Sequence, residues 1–274
     1  RIMKDMYPSA ERAGGVRNGR GGLMEKYNNI QKDPFADNCA SIISGVISVF
    51  LLVLVVGLPL YLHNSYFDIL EAKYKWYYGS FFAMLVIVLV LSLIMLVIDF
   101  KEFGGDHVKK LFSALKPANW KKTFHPADAA ILVFWLAALI STFQSEYFYE
   151  SFWGNEGRYS GLFLMTLYVV MYFIVSRFWK FRGWVVHAFL LAGLIVCLIG
   201  ITDYFQMDIF GFRVRIKPSE SAIFTSTIGN INTYTAFVAL VMGAAAGVFV
   251  TTQKRVELIW SYVCLFVTFM AIIM

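Results

Sequence analysis

Apolar residues gather in seven long runs, and almost no charge interrupts any of them. A helix needs about 17 to 25 apolar residues to cross a hydrocarbon core. On that measure the runs predict membrane spans over Ala40–Leu62, Tyr78–Ile98, Ala129–Phe143, Ser160–Ser176, Trp184–Thr202, Tyr234–Thr252 and Leu258–Met274. Lys and Arg alternate between the intervening segments. Eighteen lie in the arm up to Lys32, between Lys101 and Lys122, between Arg177 and Arg182, and at Lys254 and Arg255. Only six, Lys73, Lys75, Arg158, Arg213, Arg215 and Lys217, lie in the alternate set. Cytoplasmic loops carry the excess of Lys and Arg, so the N-terminus is expected in the cytoplasm. The predicted fold class is all-α: a polytopic transmembrane helix bundle of about seven spans, with outer loops at 144–159 and 203–233.

Composition agrees, since the chain is 59% hydrophobic, 18% aromatic and 15% charged. The net charge of +6 then reflects topology. A nucleic-acid partner would need a basic face on a soluble domain, and none is expected. Residues 1–38 form a Gly-rich polar arm that cannot bury a core and is expected to be a disordered cytoplasmic segment. Met24 is a candidate initiator, and the first span is expected to act as an uncleaved anchor. Val108, Leu111, Phe112 and Leu115 share one face of a short helix with lysines beside it, which suits the inner-leaflet surface and its lipid headgroups. Pro126 followed by Asp128 reads as a helix start, with the carboxylate complementing the helix dipole.

Signatures of soluble enzymes are missing. The run Ala13–Gly22 lacks the Gly-Lys-Ser/Thr ending of a phosphate loop, and no His-Glu-x-x-His or Cys-x-x-Cys occurs. Cys39, Cys197 and Cys264 are too dispersed for a disulfide or zinc framework. Asp68 and Glu71, three apart, are a weak metal pair and read better as a solvated helix face. Neither a metal nor another cofactor is expected. The predicted spans hold no Asp, Glu, Lys or Arg at their centres. That lowers the standing of an ion-coupled transporter, which places charged relays near the midplane. His187, near one end of its span, reads as a structural hydrogen-bonding residue.

Candidate chemistry falls in the two outer loops. Gln144–Tyr159 sets Glu146, Glu150 and Glu156 among Tyr147, Phe148, Tyr149, Phe152 and Trp153. This suits either a glycan held on aromatic faces or an interfacial aromatic belt with an acidic rim. In the second loop, Phe210–Lys217 alternates apolar residues with Gly211, Arg213, Arg215 and Lys217. Period two predicts an extended segment with one greasy face and one cationic face. Its charges serve either a bound diphosphate, which Arg grips with two parallel hydrogen bonds, or lipid phosphate in general. Phe224–Phe237 follows, where Asn230 and Asn232 supply caps at a helix N-terminus that favours anions.

Two stretches carry a resemblance. FWGNEGRYSGLF (Phe152–Phe163) and FTSTIGNINTYTAFVAL (Phe224–Leu240) resemble the O-antigen ligase and polymerase superfamily of bacterial envelope proteins. In that family a Trp-Gly and a downstream Arg-x-x-Gly-Leu lead into one helix, and Gly-Asn-x-Asn opens another. Here these are Trp153, Gly154, Arg158, Gly161 and Leu162, then Gly229, Asn230 and Asn232, with Ile231 where the family often has Pro. The resemblance implies transfer of a glycan from an undecaprenyl-diphosphate carrier to a glycan, lipid or protein acceptor, at the outer face of a bacterial cytoplasmic membrane. It implies a substrate-binding set of Arg158, Arg213, Arg215, Lys217, Asn230 and Asn232. Family members have further spans and a large outer loop, so the chain is expected to be an N-terminal fragment whose general base lies beyond Met274. Two other readings stand beside this one: a bicarbonate-uptake-like anion transporter, and a non-catalytic envelope subunit in which the arginines only anchor the loop.

Overall fold

Among the residues described by the computed structural model, 34–109, 124–155, 157–217 and 220–274, six helices are long and apolar enough to cross a membrane. They are α1 (Pro34–Leu60), α2 (Ile69–Phe103), α3 (Pro126–Phe143), α6 (Gly183–Tyr204), α7 (Ile231–Thr251) and α8 (Arg255–Ile273). Between them come the short α4 (Phe148–Trp153) and the apolar 17-residue α5 (Leu162–Phe178). At 1.5 Å per residue α5 is about 26 Å long, close to the thickness of a hydrocarbon core. Each of the seven predicted spans is thus a helix. The arm before residue 34, and the amphipathic helix expected from Val108 to Leu115 beyond its first residues, lie outside the described residues.

Helix lengths follow from what flanks the apolar runs. The 35 residues of α2 extend about 52 Å, well beyond a hydrocarbon core of about 30 Å. Its first two turns, which carry Glu71, Lys73 and Lys75, therefore project past the apolar stretch at one end. At the other end Gly104 takes φ +62° and caps the helix, its N–H donating to the Asp99 carbonyl. The buried Asp99 carboxylate also accepts from His107 Nδ1 and, at 3.2 Å, from the Val108 N–H. In α1 the ladder widens to a π-turn over Val53–Gly57, two residues before Pro59. A proline ring crowds the carbonyl four residues back and offers no N–H, which accounts for the wider turn.

Polar groups tie the helices together in two subsets. Asp128 sits in the first turn of α3 and accepts from the His125 N–H at 2.7 Å, completing a capping box. It also accepts from Tyr172 Oη at 2.8 Å and from the Arg177 guanidinium, which binds α3 to α5. Ser44 and Ser48 of α1 accept from the Lys180 N–H and the Trp179 indole at 2.9 and 3.0 Å. Ile47, Phe50, Phe81, Met84 and Leu167 pack α1, α2 and α5 into one core. The second subset is α6, α7 and α8, built on Leu190, Val196, Val238, Val241 and Cys264. Small residues let these helices approach closely, as is usual where lipid removes the hydrophobic drive between them. A Cβ on Gly193 would come within 2.5 Å of Val241, and one on Gly200 within 2.1 Å of Tyr234 Oη.

Because successive helices alternate in direction, segments 61–68, 144–155, 157–161, 205–217 and 220–230 gather at one end of the bundle, here termed the loop face. Asp99, Asp128, Arg177 and Glu257 lie at the opposite end. Residues 39–274 form one unit, which contains everything described below.

Candidate functional site

The loop face is organised around a two-residue hairpin. Strand β1 (Phe224–Thr225) pairs with β2 (Gly229–Asn230), Phe224 opposite Asn230 and Thr225 opposite Gly229. Side chains from distant segments fix it in place. Thr227 Oγ1 donates to the Pro59 carbonyl at 2.6 Å, and Tyr66 Oη donates to the Ser226 carbonyl at 2.6 Å. Ser226 Oγ reaches back to the Val196 carbonyl at 2.7 Å, and its N–H donates to Asp203 Oδ2 at 2.7 Å. Burial, reinforced by the nearby Asp203 carboxylate, pushes the Tyr66 phenol well above the usual tyrosine range, so it stays a neutral donor.

Arg213 belongs to this scaffold. Its side chain is 10% exposed, Nη1 donates to the Asp203 carbonyl at 3.0 Å, and Nη2 donates to the Phe224 carbonyl at 2.6 Å. Nη2 also lies 3.6 Å from Asp203 Oδ2. The extended strip expected over Phe210–Lys217 is instead a series of turns. Asp208 accepts from the N–H groups of Phe212 and Arg213 at 2.8 and 2.9 Å, and Gly211 takes φ +65°. These bonds curl the chain, so Arg213 turns inward while Arg215 and Lys217 stay exposed. Arg215 Nη1 donates to Asn64 Oδ1 at 3.2 Å. Phe210 and Val214 remain 61% and 80% exposed, so the segment still presents apolar side chains outward.

Asn230 is spent on capping α7, its Oδ1 accepting from the N–H groups of Asn232 and Thr233 at 2.9 and 3.4 Å. Asn232 lies exposed one residue into the helix. Arg158 is exposed on the loop between α4 and α5. That loop is pinched by its glycines: a Cβ on Gly161 would strike the Phe152 carbonyl at 2.3 Å, and one on Gly154 the Ser160 nitrogen at 2.4 Å. The Trp-Gly and Arg-x-x-Gly spacing thus closes a tight loop with Arg158 on its projecting side. Glu71 pairs with Lys75 at 2.6 Å, the solvated helix face anticipated for it, while Asp68 Oδ2 bonds His63 Nδ1 at 2.7 Å. Among the described residues no group of three or more His, Cys, Asp or Glu side chains converges to hold a metal.

One residue with functional character entered the sequence reading only as a charge. Lys73 is half-buried, and Nζ donates to the Thr227 carbonyl at 2.8 Å. Among the described residues no carboxylate pairs with it. It lines a cavity of about 690 Å³ with Leu54, Leu58, Ile228, Asn230 and Phe237. It also lines a second cavity of about 250 Å³, which shares Leu54, Leu58 and Leu70 and adds Tyr74, Tyr77 and Arg158. The available signal was spacing: Lys73 and Lys75, two apart, fall on opposite sides of a helix. Only Lys75 has an acidic partner four residues back.

Fold and site together define a multi-pass α-helical membrane protein with a largely apolar cavity at its loop face, whose charged lining residues are Lys73, Asp68 and Glu71. No family model, curated protein or solved structure matches the chain.

Proposed function

We propose that this protein transfers a glycan from an undecaprenyl-diphosphate carrier to an acceptor hydroxyl at the outer face of a bacterial cytoplasmic membrane, as an O-antigen ligase or polysaccharide polymerase does. One observation carries the reading: a largely apolar cavity shares a wall with a smaller one, Lys73 lines both, and Arg158 lines the smaller. An amphiphile with a hydrocarbon tail and a phosphate head has the same order of parts. The sequence resemblance and the charge asymmetry of the loops support the same reading.

In this scheme the prenyl tail lies along Leu54, Leu58 and Phe237, with the diphosphate between Lys73 and Arg158. Arg215 and Lys217 attract it from the rim, and Arg213 holds the frame. The acceptor oxygen bonds to the anomeric carbon as the bond from that carbon to the diphosphate breaks, and the acceptor proton leaves to a base. Charge develops on the departing diphosphate, and fixed cations in a poorly hydrated site stabilise it most effectively. Lys73 suits this role because a half-buried ammonium with no carboxylate paired to it among the described residues is stabilised when an anion arrives.

Binding of undecaprenyl diphosphate to protein in lipid nanodiscs tests the proposal. Lys73→Ala and Arg158→Ala should each weaken it about tenfold, the loss of one charge-assisted hydrogen bond. Cells producing these variants should lose surface polysaccharide while the protein still inserts. Wild-type affinity in the double variant would refute the site.

A further inference from the structure

A third cavity of about 410 Å³ adjoins the other two on the loop face. Its lining is aromatic: Tyr74 and Tyr78 of α2, Tyr149 and Trp153 of α4, Tyr159 of the pinched loop, and Phe163 of α5 are among its walls. Tyr74 also lines the cavity that holds Arg158, and Tyr159 also lines the large apolar one. The rings of Tyr74 and Tyr159 stack at 4.8 Å and 9°, and Trp153 leans on Phe163 at 5.0 Å. Tyr149 is 70% exposed and Trp153 41% exposed, so the cleft opens outward.

This lining differs in kind from that of the large cavity. There aliphatic side chains such as Leu54, Leu58 and Ile228 make up much of the wall, and Tyr66, Tyr159 and Thr233 bring only a few hydroxyls to a much larger space. Here four tyrosines combine ring faces with phenolic groups, a surface that is apolar in its body and polar at its tip. A pyranose has the matching character: C–H faces that pack on rings, and a rim of hydroxyls that exchange hydrogen bonds with phenols. Hydrocarbon, lysine with arginine, and aromatic cleft follow one another across the first turns of α2. A lipid tail, a diphosphate and a sugar are joined covalently in the same order.

We propose that the aromatic cleft is a saccharide subsite, holding the sugars next to the diphosphate. Its use in transfer rests on the carrier reading above, whereas sugar binding is measurable alone. Saturation-transfer NMR on the protein in nanodiscs, with hexasaccharides of glucose, galactose and N-acetylglucosamine as probes, should show transfer to ring C–H protons from at least one of the three. Tyr149→Ala with Trp153→Ala should reduce that transfer at least about fivefold, because two stacking faces are lost. Tyr149→Ala alone, at a side chain 70% exposed, should reduce transfer without changing helical content or thermal unfolding, which separates lost binding from lost packing around Trp153. Lys73→Ala with Arg158→Ala should leave the sugar signal intact. Absence of transfer from all three probes, or equal transfer in the aromatic variant, would overturn the proposal and leave the cleft as a lipid-facing belt. If the aromatic variant loses sugar while the cationic variant still binds undecaprenyl diphosphate as wild type does, the carrier reading fails and the saccharide site stands.

Discussion

Replacing Arg213 with Ala separates a strut from a ligand. The side chain makes two hydrogen bonds to backbone carbonyls and one longer contact with the Asp203 carboxylate, in a setting where that carboxylate is 3% exposed. Breaking a buried pair of this kind costs about 3–5 kcal/mol, because the remaining charge keeps its burial and loses its partner. One opposing contribution is present. Arg213 Nε is buried without a hydrogen-bond partner, and removing it relieves about 1–3 kcal/mol. The net expectation is therefore about 2 kcal/mol, which for a domain of this size lowers the unfolding midpoint by about 4–8 °C. Cys197 and Cys264 are buried free thiols, so a thiol-reactive dye reports unfolding in detergent. Arg215→Ala breaks one exposed bond and should stay within about 0.5 kcal/mol of wild type. Arg213→Lys should not rescue, since an ammonium lacks the planar fork that spans two acceptors. Adding Asp203→Asn to Arg213→Ala should recover part of the loss. If Arg213→Ala melts like Arg215→Ala while losing phosphate binding, the guanidinium is a ligand and the structural argument is wrong.

The remaining predictions concern packing and pH. Gly200→Ala drives a methyl toward Tyr234 Oη and should cost about 1–3 kcal/mol, whereas Gly243→Ala meets nothing within 4 Å and should be neutral or slightly stabilising; dye-monitored melts of the two variants compare them directly. For Tyr66, the folded-state pKa lies above that of the unfolded chain. The unfolded state therefore ionises first, and the stability this residue contributes falls as pH rises above about 10. Tyr66→Phe should lower stability near neutrality by about 1 kcal/mol through loss of the bond to Ser226, and should flatten the alkaline decline. Melts from pH 8 to 11 that run parallel for the two proteins would contradict this.

The bundle was legible in the sequence because crossing a bilayer is a local requirement. A run of about 20 apolar residues satisfies it whatever else the chain does, since every backbone group bonds within its own helix. The cap at Asp128 was legible for the same reason, its partners at His125 and in the first turn being neighbours in the chain. Its bonds to Tyr172 and Arg177 were not. The loop face lay beyond such reasoning. Alternation gave Arg213 and Arg215 one role, yet the carboxylates of Asp208 and Asp203 turn one inward and leave the other in solvent. Lys73 read as a surface charge until the Thr227 carbonyl, 154 residues along the chain, came to lie beside it. Helix formation and span length depend on residues within a few turns, so they follow from the local order of side chains alone. Which cation is buried, which is spent on the scaffold and which faces a cavity depend on groups that only the packed helices bring together.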